Sequence, residues 1–86
     1  MEKAFYQVVF GIAIGEVTRQ SEEIQQIYTN SPDVLRLLLP EVKGRVVALT
    51  ADPLEHHSRQ LIRIAALCIV CAVSESLRAG RIDANE

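Results

Sequence analysis

The amino-acid sequence predicts an all-α fold, a three-helix protomer that dimerises to form a four-helix-bundle core. Apolar residues recur with a helical period in three stretches, and turn signals at residues 29–33 and 50–53 separate these stretches. In the last stretch every residue from 64 to 73 is apolar, so that helix is hydrophobic on all sides. A small protomer can hardly cover such a helix, and we therefore expect a homo-oligomer, either a dimer or a tetramer.

Length and composition restrict the chain to one small domain. A chain of 86 residues buries only about 60% of its unfolded surface, so a partner chain would add stability. We expect residues 1–80 to form a single helical domain and residues 81–86 to form a flexible, polar C-terminal tail. The net charge of −2 provides no general attraction to nucleic acid, and no nucleic-acid partner is expected.

The sequence predicts a cytoplasmic protein without a membrane partner. Glu2 precedes the first apolar stretch, Glu16 closes it, and no small-residue cleavage site follows. The apolar run at residues 64–73 is shorter than the ~20 residues that span a bilayer. Cys68 and Cys71 lie within this run, where we expect buried thiols and neither a disulfide nor a zinc site.

The first helix is predicted over residues 3–28. Its apolar stripe has helical spacing and includes Phe10, Ile14, Val17, Ile24 and Tyr28. Residues 4–14 also allow a strand, because apolar and β-branched residues alternate there. If this segment is helical, Gly11 and Gly15 share one face, where another helix could approach closely.

The second helix is predicted to start at Ser31 as the N-cap, with Pro32 in the first turn and Asp33 favourable to the helix dipole. Pro40 is expected to kink or restart this helix, and Gly44 to weaken its second half. The middle helix is therefore the least regular element.

The third helix is predicted from Asp52 to Gly80. Asp52 serves as the N-cap, Pro53 suits the first helical position, and Glu55 completes a capping box. Gly80 marks the C-terminal stop. Large apolar residues of this helix are the predicted oligomer interface, namely Leu67, Ile69, Val70 and Val73.

One face at the start of the third helix is a candidate anion-binding or nucleotide-binding site. His56, Arg59 and Arg63 share this face with Gln60, close to the positive end of the helix. The alternative is a solvated helix start with one or two ion pairs. The sequence contains neither a nucleophile elbow nor a glycine-rich phosphate loop, so no catalytic residue is assigned.

Three segments resemble a known family, and together they cover about residues 16 to 78. Residues 16–23, EVTRQSEE, resemble the run ERxRQxEK near the start of many short phage and bacterial MazG-like proteins. Residues 38–49, LLPEVKGRVVAL, are similar to the family's helix LLEEVGEVARAL. The strongest match is residues 60–77, QLIRIAALCIVCAVSESL, which resemble ELIQVAALAVAWAESL.

The resemblance implies an all-α nucleoside triphosphate pyrophosphohydrolase fold, in which carboxylates from two helices bind Mg²⁺. By this resemblance, Pro40 and Gly44 replace two acidic residues, and Glu41 remains as the residual metal ligand. On the following helix, Gln60 and Arg63 replace the other two. The resemblance further implies that Arg63 faces Glu41 across the former metal site, where we expect it to form an ion pair with Glu41 or, failing that, with Glu16.

We therefore expect a MazG-like protein that has lost Mg-dependent catalysis and serves as a binding or regulatory module, with no cofactor and with a nucleotide as the candidate ligand. One alternative is a divergent, active pyrophosphohydrolase in which Glu16, Glu22 or Glu23 joins Glu41 to bind Mg²⁺. Another is a helical oligomerisation or interaction protein unrelated to nucleotides.

Overall fold

Three α-helices form the fold in a computed structural model that describes residues 2–80. Helix α1 spans Lys3–Ile27, α2 spans Val34–Leu49 and α3 spans His57–Arg78, and a single 3-10 turn, Leu54–His56, precedes α3. The all-α fold class is confirmed. The alternative of a strand at residues 4–14 is wrong, because α1 includes all of them. The predicted C-terminal tail, residues 81–86, lies outside the described residues.

Helix α3 is the central helix, and the other two pack against it. Gln20 of α1 meets Arg63 early in α3, and further along both helices the second half of α1 still borders α3, so these two helices run in the same direction. Helix α2 is antiparallel to α3, since Arg45 lies beside Gln60. Within residues 2–80, no Cα atom of α1 comes within 8 Å of one in α2.

The core is small and aliphatic, and α3 supplies half of it. The buried residues are Val17, Ile24, Val34, Leu38, Ala66, Leu67, Val70 and Cys71. Burial raises the pKa of the Cys71 thiol, with smaller contributions from Cys68 and Glu75. Cys71 is a buried free thiol as predicted, whereas Cys68 is exposed, which corrects that part of the prediction.

The predicted oligomer interface divides into two groups. Leu67 and Val70 are each only 1% exposed within a single protomer, so they belong to its own core. Ile69 is 44% exposed and Val73 is half-buried, and both keep surface that a partner can reach. The protomer therefore covers more of α3 by itself than the sequence suggests, because α1 and α2 cover two of its sides. Oligomerisation itself stays a prediction.

The helix boundaries differ from the predicted caps at two places. Asp33, not Ser31, is the N-cap of α2, and its carboxylate accepts a hydrogen bond of 3.1 Å from the backbone N–H of Arg36. The segment predicted as the start of α3 forms the 3-10 turn instead, and the side chain of Glu55 makes no capping hydrogen bond. The predicted stop is confirmed, since Gly80 has a φ of 74° just beyond α3.

Helix α2 continues through Pro40 without a break, so the predicted restart is wrong, while the predicted kink stays a prediction. A proline in a helix interior removes one backbone hydrogen bond and crowds the preceding turn. Pro40 is exposed, and Leu38 beside it is buried in the core. Burial of this apolar side chain against α3 offsets the local cost of the proline.

One described segment, Leu54–Arg78, is long and apolar enough to cross a membrane by length and composition alone, with a mean hydropathy of 1.7 in its most apolar window. The mostly buried core helix of a soluble protein passes the same test, but only 22% of this window is buried within the described residues. The apolar run at residues 64–73 is too short to span a bilayer, but this longer segment is not. The absence of a membrane partner and the cytoplasmic location stay predictions.

Candidate anion-binding cleft

An open cleft of about 410 Å³ lies at the start of α3, where α1, α2 and the turn before α3 meet. Its lining is polar and includes three arginines. The lining residues are Gln20, Arg45, Asp52, His56, Arg59, Gln60 and Arg63.

All three candidate ligand-binding residues line this cleft. His56 comes from the 3-10 turn, and Arg59 and Arg63 lie one turn apart on α3, so their side chains share a face. The cleft also contains Gln20 and Arg45, which come from the other two helices and were not predicted from the sequence. The spacing of residues within one helix carries no information about which residues of another helix lie opposite.

Arg63 is positioned by α1, and not by Glu41 as predicted. Its Nη1 donates a hydrogen bond of 3.1 Å to Oε1 of Gln20. Nε2 of Gln20 in turn donates a bond of 3.1 Å to a carboxylate oxygen of Glu16. The expected Arg63–Glu41 ion pair is wrong, because Glu41 instead accepts a hydrogen bond of 3.0 Å from Nε of Arg45 on its own helix.

Arg45 is held by a second chain of polar contacts. Its Nη1 donates a hydrogen bond of 2.8 Å to Oε1 of Gln60, and Nε2 of Gln60 donates one of 3.3 Å to Asp52. Both Arg45 and Arg63 therefore contact the oxygen of a neutral glutamine. Such a contact orients a guanidinium without neutralising its charge, and the charge of Arg45 is balanced separately by its ion pair with Glu41.

Arg59 and His56 have the most accessible side chains among the basic residues of the cleft. Within residues 2–80 neither side chain has a hydrogen-bond or ion-pair partner in the protein. Asp52 is the only carboxylate among the described lining residues, against three guanidinium groups. Because Arg45 is paired with Glu41 just outside the lining, Arg59 and Arg63 against Asp52 leave the cleft with a small positive excess, although the chain as a whole carries a net charge of −2.

A separate ion-pair network on α1 borders the cleft through Gln20. Arg19 bonds the carboxylate of Glu16 through two of its nitrogens, and its Nη1 lies 2.7 Å from Glu23. Hydrogen bonds from Arg19 and then from Gln20 hold the pKa of Glu16 below its usual value. The pKa of Arg19 is raised, chiefly by its bond with Glu16.

The described residues contain no group of three or more His, Cys, Asp or Glu side chains that could hold a metal ion. Glu41, predicted as the residual metal ligand, pairs with Arg45 and does not line the cleft. Among the described residues Glu41 also forms no such group of three or more with Glu16, Glu22 or Glu23, and the alternative of an unusual metal site built from two carboxylates stays a prediction.

Comparison with known proteins identifies no relative. No family model matches the chain, and neither the curated proteins nor the solved structures give a match.

Proposed function

We propose that this protein binds a phosphate-bearing small molecule, of which nucleotides are the leading class, in the cleft at the start of α3, and that it does not hydrolyse its ligand. The observation that carries this proposal is the convergence of Arg45, Arg59 and Arg63, from two helices, on one cleft. The guanidinium group is planar and offers paired N–H donors, which match the oxygens of a phosphate.

The size and the charge of the cleft both favour such a ligand. A volume of about 410 Å³ falls within the ~300–1,000 Å³ range of small-molecule sites. Gln20 and Gln60 orient two of the arginines, so these two groups lose little freedom when a ligand binds. The side chain of Arg59 can turn toward an anion without breaking a described ion pair.

The loss of hydrolysis follows from the residues at the positions that the MazG resemblance assigns to carboxylates. Gln60 and Arg63 stand at two of these positions and line the cleft, where a divalent cation would need negative charge. Arg63 in particular brings a permanent positive charge that repels a metal ion. We therefore keep the MazG-like relationship as part of the proposal, in the form of a binding or regulatory module.

We further propose that the protein functions as a dimer with a four-helix core. The apolar surface of the protomer supports this, since seven of the exposed large hydrophobic residues lie close together on α1, within residues 5–14. Exposed apolar patches of this extent are characteristic of interaction surfaces. Light scattering that finds only monomer at micromolar concentrations would refute the dimer and would leave the ligand proposal untouched.

Calorimetric titration with ATP, dATP and inorganic pyrophosphate tests the ligand proposal. Replacing Arg59→Gln removes one charge-assisted contact, and we expect affinity to fall by about tenfold, which corresponds to ~1.4 kcal/mol. Arg36→Gln is the matched control, because Arg36 is also an exposed helical arginine but lies outside the cleft. Binding should weaken as salt concentration rises.

Two results would contradict the proposal. Equal affinities for the wild type and the Arg59→Gln variant, or no saturable binding of any of the three anions, would refute the cleft as a phosphate site. Robust release of pyrophosphate from nucleoside triphosphates in the presence of Mg²⁺ or Mn²⁺ would refute the loss of catalysis, even if binding itself were confirmed.

A further inference from the structure

The first half of α1 is an apolar helix with nothing packed on it in the described protomer. We call residues 3–14 the N-terminal arm. The arm contains only two polar residues, Lys3 and Gln7, and none of its side chains is buried. Its exposed large hydrophobic residues are Phe5, Tyr6, Val8, Val9, Phe10, Ile12 and Ile14.

The arm is uncovered because α1 extends past the start of α3. Gln20 lies beside Arg63, which is only six residues from the start of α3 at His57. At 1.5 Å per residue, α1 extends ~26 Å from this contact toward its N-terminus, and α3 extends only ~9 Å toward its own. Helix α1 therefore projects roughly 16 Å beyond the start of α3. The position of the arm thus follows directly from the register of α1 on α3.

The character of the arm favours a protein partner over a lipid surface. A helix that lies in a membrane interface needs a strongly charged face opposite its apolar face, and the arm has no such face. It is also too short to span a bilayer. Seven side chains of this size, each about half exposed, present on the order of 700 Å² of apolar area, close to the ~800 Å² per partner of a stable interface.

An open groove with an apolar floor runs between α1 and α3 on the same protomer. Its floor is apolar and consists of Ile69, Val70 and Val73, and one side is polar and is formed by Ser21, Glu22, Gln25 and Gln26 of α1. The groove has a volume of about 410 Å³ and lies beyond the arm along α1. The arm of a chain cannot fold back into its own groove, because both belong to the same continuous helix.

We propose that two copies of this chain pair reciprocally, with the N-terminal arm of each lying in the α1–α3 groove of the other. A two-fold axis near Gly15 makes the two α1 helices antiparallel and places residues 4–8 of one chain beside residues 21–25 of its partner. Each arm is then covered and each groove filled, and α1 and α3 of the two chains form the four-helix core. This inference rests on the dimer proposed above and names the surfaces that build it.

The glycines of α1 are compatible with this arrangement. A Cβ atom added at Gly11 or Gly15 would meet nothing within 4 Å, so the protomer itself does not require a glycine at either position. Each glycine costs roughly 1 kcal/mol of helix propensity relative to alanine. Near the two-fold axis, both would let the paired α1 helices approach closely.

Three aspartate substitutions test the pairing. Val8→Asp places a charge on the arm and Ile69→Asp places one in the groove. Val47→Asp is the control, because Val47 is likewise an exposed apolar residue, 69% exposed against 59% for Val8, but lies on α2. In light scattering over a concentration series, we expect Val8→Asp and Ile69→Asp each to raise the dimer dissociation constant by about 100-fold, whereas Val47→Asp leaves it unchanged.

Mixing the two disruptive variants tests reciprocity. A heterodimer of Val8→Asp and Ile69→Asp chains has one interface carrying both charges and one interface that is fully intact. Native mass spectrometry of the mixture should therefore detect a heterodimer at concentrations where each variant alone is monomeric. Circular dichroism of the Val8→Asp variant should match that of the control, since Val8 lies outside the protomer core.

Several results would overturn the inference. A wild-type dimer that Val8→Asp does not weaken would refute the arm as the interface while leaving the dimer itself in place. A monomeric wild type would refute both, and the phosphate cleft would still be judged by its own titration. Binding of the wild type, but not of Val8→Asp, to phosphatidylcholine and phosphatidylglycerol vesicles would assign the arm to a lipid surface instead.

Discussion

Replacing Leu38→Ala should destabilise the protein severely, because Leu38 is the larger of the two buried residues that α2 contributes to the core, the other being Val34. Its side chain is 1% exposed and packs in the cluster that α3 dominates. Buried leucine-to-alanine changes cost about 2–5 kcal/mol, through lost transfer energy and the cavity left behind. A domain of this length has a total stability of only about 4–13 kcal/mol, so this single change removes a large part of it.

The neighbouring Leu37 provides the matched control. It lies on the same turn of α2 but is 54% exposed, so Leu37→Ala should cost less than about 1 kcal/mol. Urea denaturation followed by circular dichroism at one fixed protein concentration measures both changes, since dimerisation would make stability depend on concentration. Equal destabilisation by the two variants, or a larger effect at Leu37, would refute the orientation of α2 on α3.

Four further predictions test other parts of the fold. Asp33→Ala should lower the free energy of unfolding by about 0.5–2 kcal/mol, because it removes the N-cap of α2. Ser31→Ala should change this free energy little. A larger loss for Ser31→Ala than for Asp33→Ala in urea denaturation would place the cap at Ser31. Pro40→Ala should stabilise the protein, by up to about 3 kcal/mol, because α2 already continues through this position; a lower melting temperature would contradict a continuous α2. In thiol titration with a disulfide reagent, exposed Cys68 should react well before Cys71, whose thiol is buried and has a raised pKa. Because folding raises the pKa of the Cys71 thiol, the unfolded chain loses this proton at a lower pH than the folded chain does. The free energy of unfolding should therefore fall as pH rises above about 9. A free energy of unfolding that rises there would contradict the burial of Cys71.

The helices and their approximate limits could be predicted from sequence because they depend on local signals. Helical spacing of apolar residues, the turn at residues 29–33 and the glycine at position 80 each act within a few residues. The same local rules failed at Pro40, where tertiary burial of the neighbouring Leu38 outweighs the cost of the proline. They also misplaced the start of α3, since 3-10 turns are frequent at the N-termini of α-helices and start signals such as Pro53 and Glu55 do not distinguish the two.

The candidate site could be predicted only in part. His56, Arg59 and Arg63 were identifiable because residues one turn apart share a helix face. The partners of Arg63 were not identifiable, because the choice between Glu41 and Gln20 depends on how α1 and α2 are placed around α3.

The sequence suggested that a partner chain covers most of the apolar surface of α3, whereas the protomer itself covers more of it than expected. An apolar run shows that a helix needs cover, but it does not show which surface supplies the cover. Here α1 and α2 bury Leu67 and Val70, while Ile69 and the N-terminal arm stay exposed. Within residues 2–80, seven of the sixteen exposed large hydrophobic residues lie in the N-terminal arm, for which the sequence suggested only tight packing around two glycines.

Nuclear magnetic resonance of the arginine side chains tests the central claim, the phosphate-binding cleft, most directly. The Nε–Hε signals of individual arginines can be followed while inorganic pyrophosphate is added. We predict saturable shifts for Arg45, Arg59 and Arg63, which line the cleft, and little change for Arg36 and Arg78, which do not. Shifts of similar size at all five arginines, or no saturation at any of them, would contradict a specific site and leave only a general attraction between arginine and phosphate.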